Sequence, residues 1–91
     1  CYHNAMKIVW GIPDVEYAEG IANLIIPIDH AWNYYKGYYF DLTAELVLNK
    51  DVTRCDYAQV IKIDERRMDS YAWKTKVSGG YIAEYYKEFE L

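Results

Sequence analysis

Residues 28–43 constrain the fold more than any other stretch. They read Ile28-Asp29-His30-Ala31-Trp32-Asn33-Tyr34-Tyr35-Lys36-Gly37-Tyr38-Tyr39-Phe40-Asp41-Leu42-Thr43. Two aromatic-rich runs flank Lys36-Gly37, the pattern of two strands joined by a two-residue turn. Aromatic and β-branched side chains suit a pleated, half-buried surface. Gly37 supplies the positive φ that a tight hairpin turn requires.

The turn dictates the register. With Lys36 and Gly37 as the loop, Tyr35 faces Tyr38, Trp32 faces Asp41 and His30 faces Thr43. Directly opposed residues share a face, and side chains alternate along each strand. His30, Trp32 and Tyr34 then lie on one face with Thr43, Asp41 and Tyr39. Asp41 becomes a diagonal cross-strand neighbour of His30, within reach of a hydrogen bond. A slip of one residue would carry Asp41 to the opposite face.

The remaining chain reads as one domain over residues 1–91. A chain of 91 residues with 53% hydrophobic content can bury a core, so disorder is not expected. Eleven tyrosines and three tryptophans carry much of that area, and their polar tips need partners. The net charge of −4 argues against nucleic acid as a partner. No apolar run spans a bilayer, and no signal peptide is visible. A cytoplasmic location and no membrane partner are the corresponding expectations. The sequence opens at Cys1 rather than at a Met, so processing or excision from a longer protein is expected. Two cysteines leave two readings, a Cys1–Cys55 disulfide or two thiols, of which a cytosolic setting favours thiols.

The pattern over residues 1–10 predicts a helix, with Ala5, Met6 and Val9 at helical spacing and Gly11 and Pro13 ending it. Cys1 then opens that helix, where exposed amides and the macrodipole favour a thiolate. Val15 to Ala22 reads as a strand in which Gly20 marks a bulge or close backbone approach. Strands follow over 28–35 and 38–42. Ala44 to Leu48 reads as a short helix or an irregular apolar segment, and 49–56 as a polar loop. Tyr57 to Ile63 is a fourth strand. Asp64-Glu65 opens a helix to about Lys76, with Met68, Tyr71 and Ala72 inward. Ser78-Gly79-Gly80 breaks the chain, and Tyr81 to Leu91 forms a last amphipathic helix. The expected fold class is α+β: an N-terminal helix packed on an antiparallel sheet, with two C-terminal helices.

Cys1 at a helix start, with His30 and Asp41 on one face of a hairpin, is the layout of a cysteine nucleophile with its base and orienter. Each residue also has an ordinary role: a structural histidine, a strand-edge acid, an inert thiol. Cys1, His3, His30 and Cys55 lack paired metal-ligand spacing, and neither a metal nor another cofactor is expected. Arg66-Arg67, Glu84, Lys87 and Glu88 read as a solvated surface.

These residues carry a resemblance. The hairpin resembles the signature of the transglutaminase-like superfamily of papain-fold cysteine enzymes: a His-Ala-Trp strand, a glycine turn, then a strand ending in Asp-x-Thr. Here these are His30-Ala31-Trp32, Gly37 and Asp41-Leu42-Thr43. The family's helix-opening cysteine and its Gly-x-Ala strand are matched by Cys1 with Ala5, and by Gly20-Ile21-Ala22. The chain is also similar to small bacterial and phage proteins of unassigned function. Those carry Cys-x-x-Asn-Ala, Tyr-x-Glu-Gly-x-Ala and Pro-Ile-x-His-Ala-Trp. The match covers residues 1–43.

The resemblance implies a papain-like core with Cys1 as nucleophile, His30 as general base and acid, and Asp41 as orienter. Asn4 and Trp32 would support the site. The family pattern has residues before its cysteine, including an oxyanion-hole side chain; here the Cys1 amide and Asn4 remain for that role. The expected activity is hydrolysis or acyl transfer at an amide of a peptide or protein substrate. Two other readings stay open. One is a non-catalytic binding or regulatory protein, phage-encoded, on the same scaffold. The other is self-processing with Cys1 as an N-terminal nucleophile. Oligomeric state is not legible.

Overall fold

The computed structural model describes residues 1–24, 26–47 and 55–89. Helix α1 (Tyr2–Gly11) leads into strand β1 (Glu16–Asn23), followed by β2 (Pro27–Tyr35) and β3 (Tyr38–Phe40). A five-residue π-helical turn (Thr43–Val47) precedes strand β4 (Asp56–Ile63), helix α2 (Glu65–Thr75) and helix α3 (Ile82–Glu88). The class is α+β: an N-terminal helix, a four-stranded antiparallel sheet in the order β3-β2-β1-β4, and C-terminal helices. Most of the polar loop expected over 49–56 lies outside the described residues.

The hairpin has the register its turn demands. Tyr35 pairs with Tyr38, Tyr34 with Tyr39 and Asn33 with Phe40. Lys36 and Gly37 both take positive φ, 45° and 91°, the signature of a turn whose twist matches the flanking strands. The second strand is shorter than the 38–42 expected. Asp41 leaves the ladder because its carboxylate accepts the Ala44 amide, and its carbonyl accepts the Glu45 amide. It therefore caps the turn that follows, as a short acid beside free amides does.

The expected bulge falls at Gly20. The β1–β4 register shifts between Glu19 and Gly20. A Cβ on Gly20 would sit 2.0 Å from the Ala58 carbonyl oxygen and 2.9 Å from the Val60 nitrogen, so only glycine permits this approach.

Alternation divides the sheet into two faces. Tyr17, Ala31, Ile61 and Ile63 form the core with Ala5, Met6 and Val9 of α1, Met68 and Tyr71 of α2, and Tyr81. Burying the Val, Ile and Met side chains among them stabilises the fold by about 1.5–3 kcal/mol each. Glu19 lies among them, almost fully buried. It accepts from the Tyr17 hydroxyl and from the Tyr81 amide just ahead of α3. Burial raises its pKa, and those hydrogen bonds oppose the rise without cancelling it. The far end of α3 is tied by Glu88, which accepts from Arg67 and from the Tyr71 hydroxyl. Helix α3 is shorter than the segment 81–91 expected to form it.

Candidate functional site

The opposite face carries Trp32, Tyr34, Tyr39 and Tyr57, and on it the hairpin brings His30 and Asp41 together. His30 Nε2 lies 2.6 Å from Asp41 Oδ2, with both side chains buried. The strands explain this proximity. β3 pairs with β2 only from Asn33 to Tyr35, so Asp41, one residue past the ladder, is free to turn its carboxylate toward His30.

Asp41 is held from three sides. Oδ1 accepts the Ala44 amide at 3.1 Å, and Oδ2 accepts the Tyr57 hydroxyl at 2.7 Å as well as His30. Burial works against its charge, but the hydrogen bonds from His30, Tyr57 and Ala44 outweigh it and hold the carboxyl below its usual range. An ionised carboxylate only accepts, so the imidazole presents Nε2–H to it. That assignment leaves Nδ1 as the lone-pair nitrogen of the neutral ring.

Nδ1 is buried and has no hydrogen-bond partner among the described residues. An unsatisfied buried polar atom costs about 1–3 kcal/mol, and a native fold that retains one calls for a reason. Packing keeps the ring where it is. The Trp32 ring stacks on His30 at 6.2 Å and 27°, and the Tyr57 ring meets Trp32 edge-on at 5.0 Å.

Cys1 is the N-cap of α1 and carries an exposed, free thiol, so it is not joined to Cys55. It is not hydrogen-bonded to His30, since Nδ1 is unpartnered among the described residues. The first turn of α1 is nonetheless anchored to the elements that carry the dyad. The Asn4 side-chain amide donates to Thr43 Oγ1 at 3.2 Å, and the Asn33 amide donates to the Ala5 carbonyl at 2.9 Å. Asn4 thus braces α1 against the segment that follows Asp41. Of the five residues singled out in the sequence, the structure joins His30, Asp41 and Trp32 in one cluster, and ties Asn4 and with it the Cys1 end of the helix to its margin.

Sequence reasoning missed Tyr57. It stands at the start of β4, opposite Ala22 of β1, and it reaches Asp41 across two intervening strands. Aromatic content at the head of a predicted strand was the available signal, but the bulge at Gly20 hid the pairing. A cavity of about 310 Å³ opens beside the dyad, lined by Trp32, Tyr39, Phe40, Asp41, Tyr57 and Gln59. It borders the carboxylate rather than the imidazole. No helix among the described residues is long and apolar enough to cross a membrane. Searches against protein-family models, curated proteins and solved structures returned no match to this chain.

Proposed function

We propose that the chain is a cysteine-dependent hydrolase or acyltransferase acting on an amide or peptide bond, with Cys1, His30 and Asp41 as its triad. The observation that carries this reading is the asymmetry of His30. One ring nitrogen is clamped by a carboxylate kept ionised, and the other is buried with its lone pair unspent. A structural histidine would satisfy both nitrogens; a general base needs one held and one available.

In the reaction, His30 Nδ1 takes the Cys1 thiol proton and the thiolate attacks the carbonyl carbon of the substrate amide. The C–N bond breaks as His30 returns that proton to the leaving nitrogen, and a thioester with Cys1 forms. Water or an amine then attacks the thioester, with His30 accepting its proton and passing it back to the departing thiol. Asp41 holds Nε2–H and stabilises the imidazolium in each half-reaction. The step requires Cys1 Sγ to close on Nδ1, a contact that often tightens only with substrate bound. The Asn4–Thr43 hydrogen bond ties the first turn of α1 to the segment that follows Asp41.

The missing Cys1–His30 hydrogen bond, with a cavity bordered by aromatic rings, favours a second reading: a non-catalytic binding protein in which the dyad is structural. Casein incubated with the protein and cadaverine separates the two. Mass spectrometry would score peptide cleavage, glutamine deamidation and cadaverine incorporation. Any of the three, lost in Cys1→Ala, supports the enzyme. None of the three, or activity unchanged in Cys1→Ala, overturns it.

A further inference from the structure

Two donors converge on a single oxygen of Asp41. His30 Nε2 is 2.6 Å and the Tyr57 hydroxyl 2.7 Å from Oδ2, whereas among the described residues Oδ1 accepts only the Ala44 amide. A plain structural anchor has no need of this arrangement, because a carboxylate offers about four lone-pair sites over its two oxygens. Donors that share one oxygen compete for its electron density. The stronger the Tyr57 hydrogen bond, the weaker the hold of Oδ2 on the imidazole proton.

We infer that Tyr57 is a positioning residue for His30, acting through Asp41: its hydroxyl fixes the carboxylate's orientation and sets how strongly Oδ2 binds Nε2–H. This rests on the reading of His30 as a general base, but the coupling itself is a property of the three side chains. Three contacts fix Tyr57 for the task. Its ring packs edge-on against Trp32 at 5.0 Å and lies 6.5 Å from His30 at 50°. Its hydroxyl reaches no acceptor but Asp41 among the described residues. Burial first, then its hydrogen bond to Asp41 and that carboxylate's charge, keep the phenol protonated across the ordinary pH range, so it remains a donor. Cys55 and Glu45 are the other titratable groups whose charge it feels.

Consequently Tyr57 moderates the dyad. Too strong an Asp41–His30 bond would trap the imidazolium after the first proton transfer; too weak a bond would free the ring to rotate. Placing the moderator on β4 couples the hairpin's chemistry to the far edge of the sheet.

The test is the His30 Nε2–H resonance in ¹H–¹⁵N NMR of the whole chain, compared in two variants. Tyr57→Phe keeps the ring and removes the donor, so the resonance moves downfield as the remaining hydrogen bond strengthens. Incorporating 3-fluorotyrosine at position 57 makes the phenol a stronger donor and moves the same resonance upfield, and it keeps the test available if Tyr57→Phe folds poorly. A purely structural Tyr57 shifts neither in a donor-dependent direction. Opposite shifts support the inference. Unmoved resonances, or shifts in the same direction, overturn it. Cys1 reactivity plays no part in this readout, so failure of the enzyme reading and failure of the coupling are told apart.

Discussion

His30 Nε2 and Asp41 Oδ2 stand 2.6 Å apart although neither residue lies within the ladder that pairs their strands. Their contact depends on Asp41 being just past the end of β3, where its two oxygens divide their work. One caps the turn at Ala44 and the other faces His30 and Tyr57.

That division makes Asp41→Asn informative. The Ala44 amide still requires an acceptor, so the asparagine oxygen takes the Oδ1 position and its NH₂ turns to His30. Nε2 must then offer a lone pair, and the ring proton moves to Nδ1. We expect ¹⁵N NMR to report protonated Nε2 in the wild type and protonated Nδ1 in the variant. A variant that keeps the wild-type tautomer would remove the argument that Asp41 orients the base.

Two buried carboxyls give opposite pH slopes to stability. Asp41 has a lowered pKa in the fold, so its contribution is present above the unfolded value of about 3.9 and is lost as pH falls through its folded value. Glu19 has a raised pKa, so the fold is favoured while it holds its proton, and stability declines as pH rises above about 4.3 toward its folded value. Thermal melts from pH 2 to 8 should show that Asp41→Asn flattens the acid limb. Glu19→Gln should remove the decline above pH 4.3 while keeping an acceptor for the Tyr81 amide. Glu19→Ala leaves that amide and the Tyr17 hydroxyl unpartnered and should cost about 2–3 kcal/mol.

Gly20→Ala tests the bulge. The added Cβ meets backbone at Ala58 and Val60 rather than a movable side chain. We expect a loss of about 2 kcal/mol or more in urea unfolding, since overpacking against backbone has no cheap relief. Because Gly20 pairs with both His30 and Gln59, the His30 Nε2–H resonance should also shift. A neutral Gly20→Ala would contradict the close approach.

The parts legible in the sequence were the local ones. Lys36-Gly37 allows few turn geometries, and the turn fixes every pair in the hairpin, so the His30–Asp41 proximity followed from counting residues. The helix at Tyr2–Gly11 and the strand at β4 were carried by periodicity. What escaped was set by distant segments. Tyr57 reaches Asp41 only because β4 joins the far side of β1 with a shift at Gly20; Gly20 marks the bulge locally, but no local pattern says which strand pairs across it. Nothing local sets Glu19 apart between Ala18 and Gly20; the Tyr81 amide that it accepts comes from 62 residues away. Likewise the length of β3 was overestimated because propensity could not weigh the ladder against the cap that Asp41 makes.

In the proposed triad His30 acts on Cys1. The most direct test is the rate of Cys1 alkylation by iodoacetamide from pH 5 to 9, resolved by mass spectrometry from that of Cys55, in wild type and His30→Gln. Wild-type Cys1 should still react at pH 6 within a fewfold of its pH 8 rate, because Nδ1 accepts the thiol proton as the closing sulfur attacks the reagent. His30→Gln should lose about tenfold or more at pH 6 and regain the rate only toward alkaline pH, as an ordinary thiol does. Identical curves for the two proteins would contradict the triad.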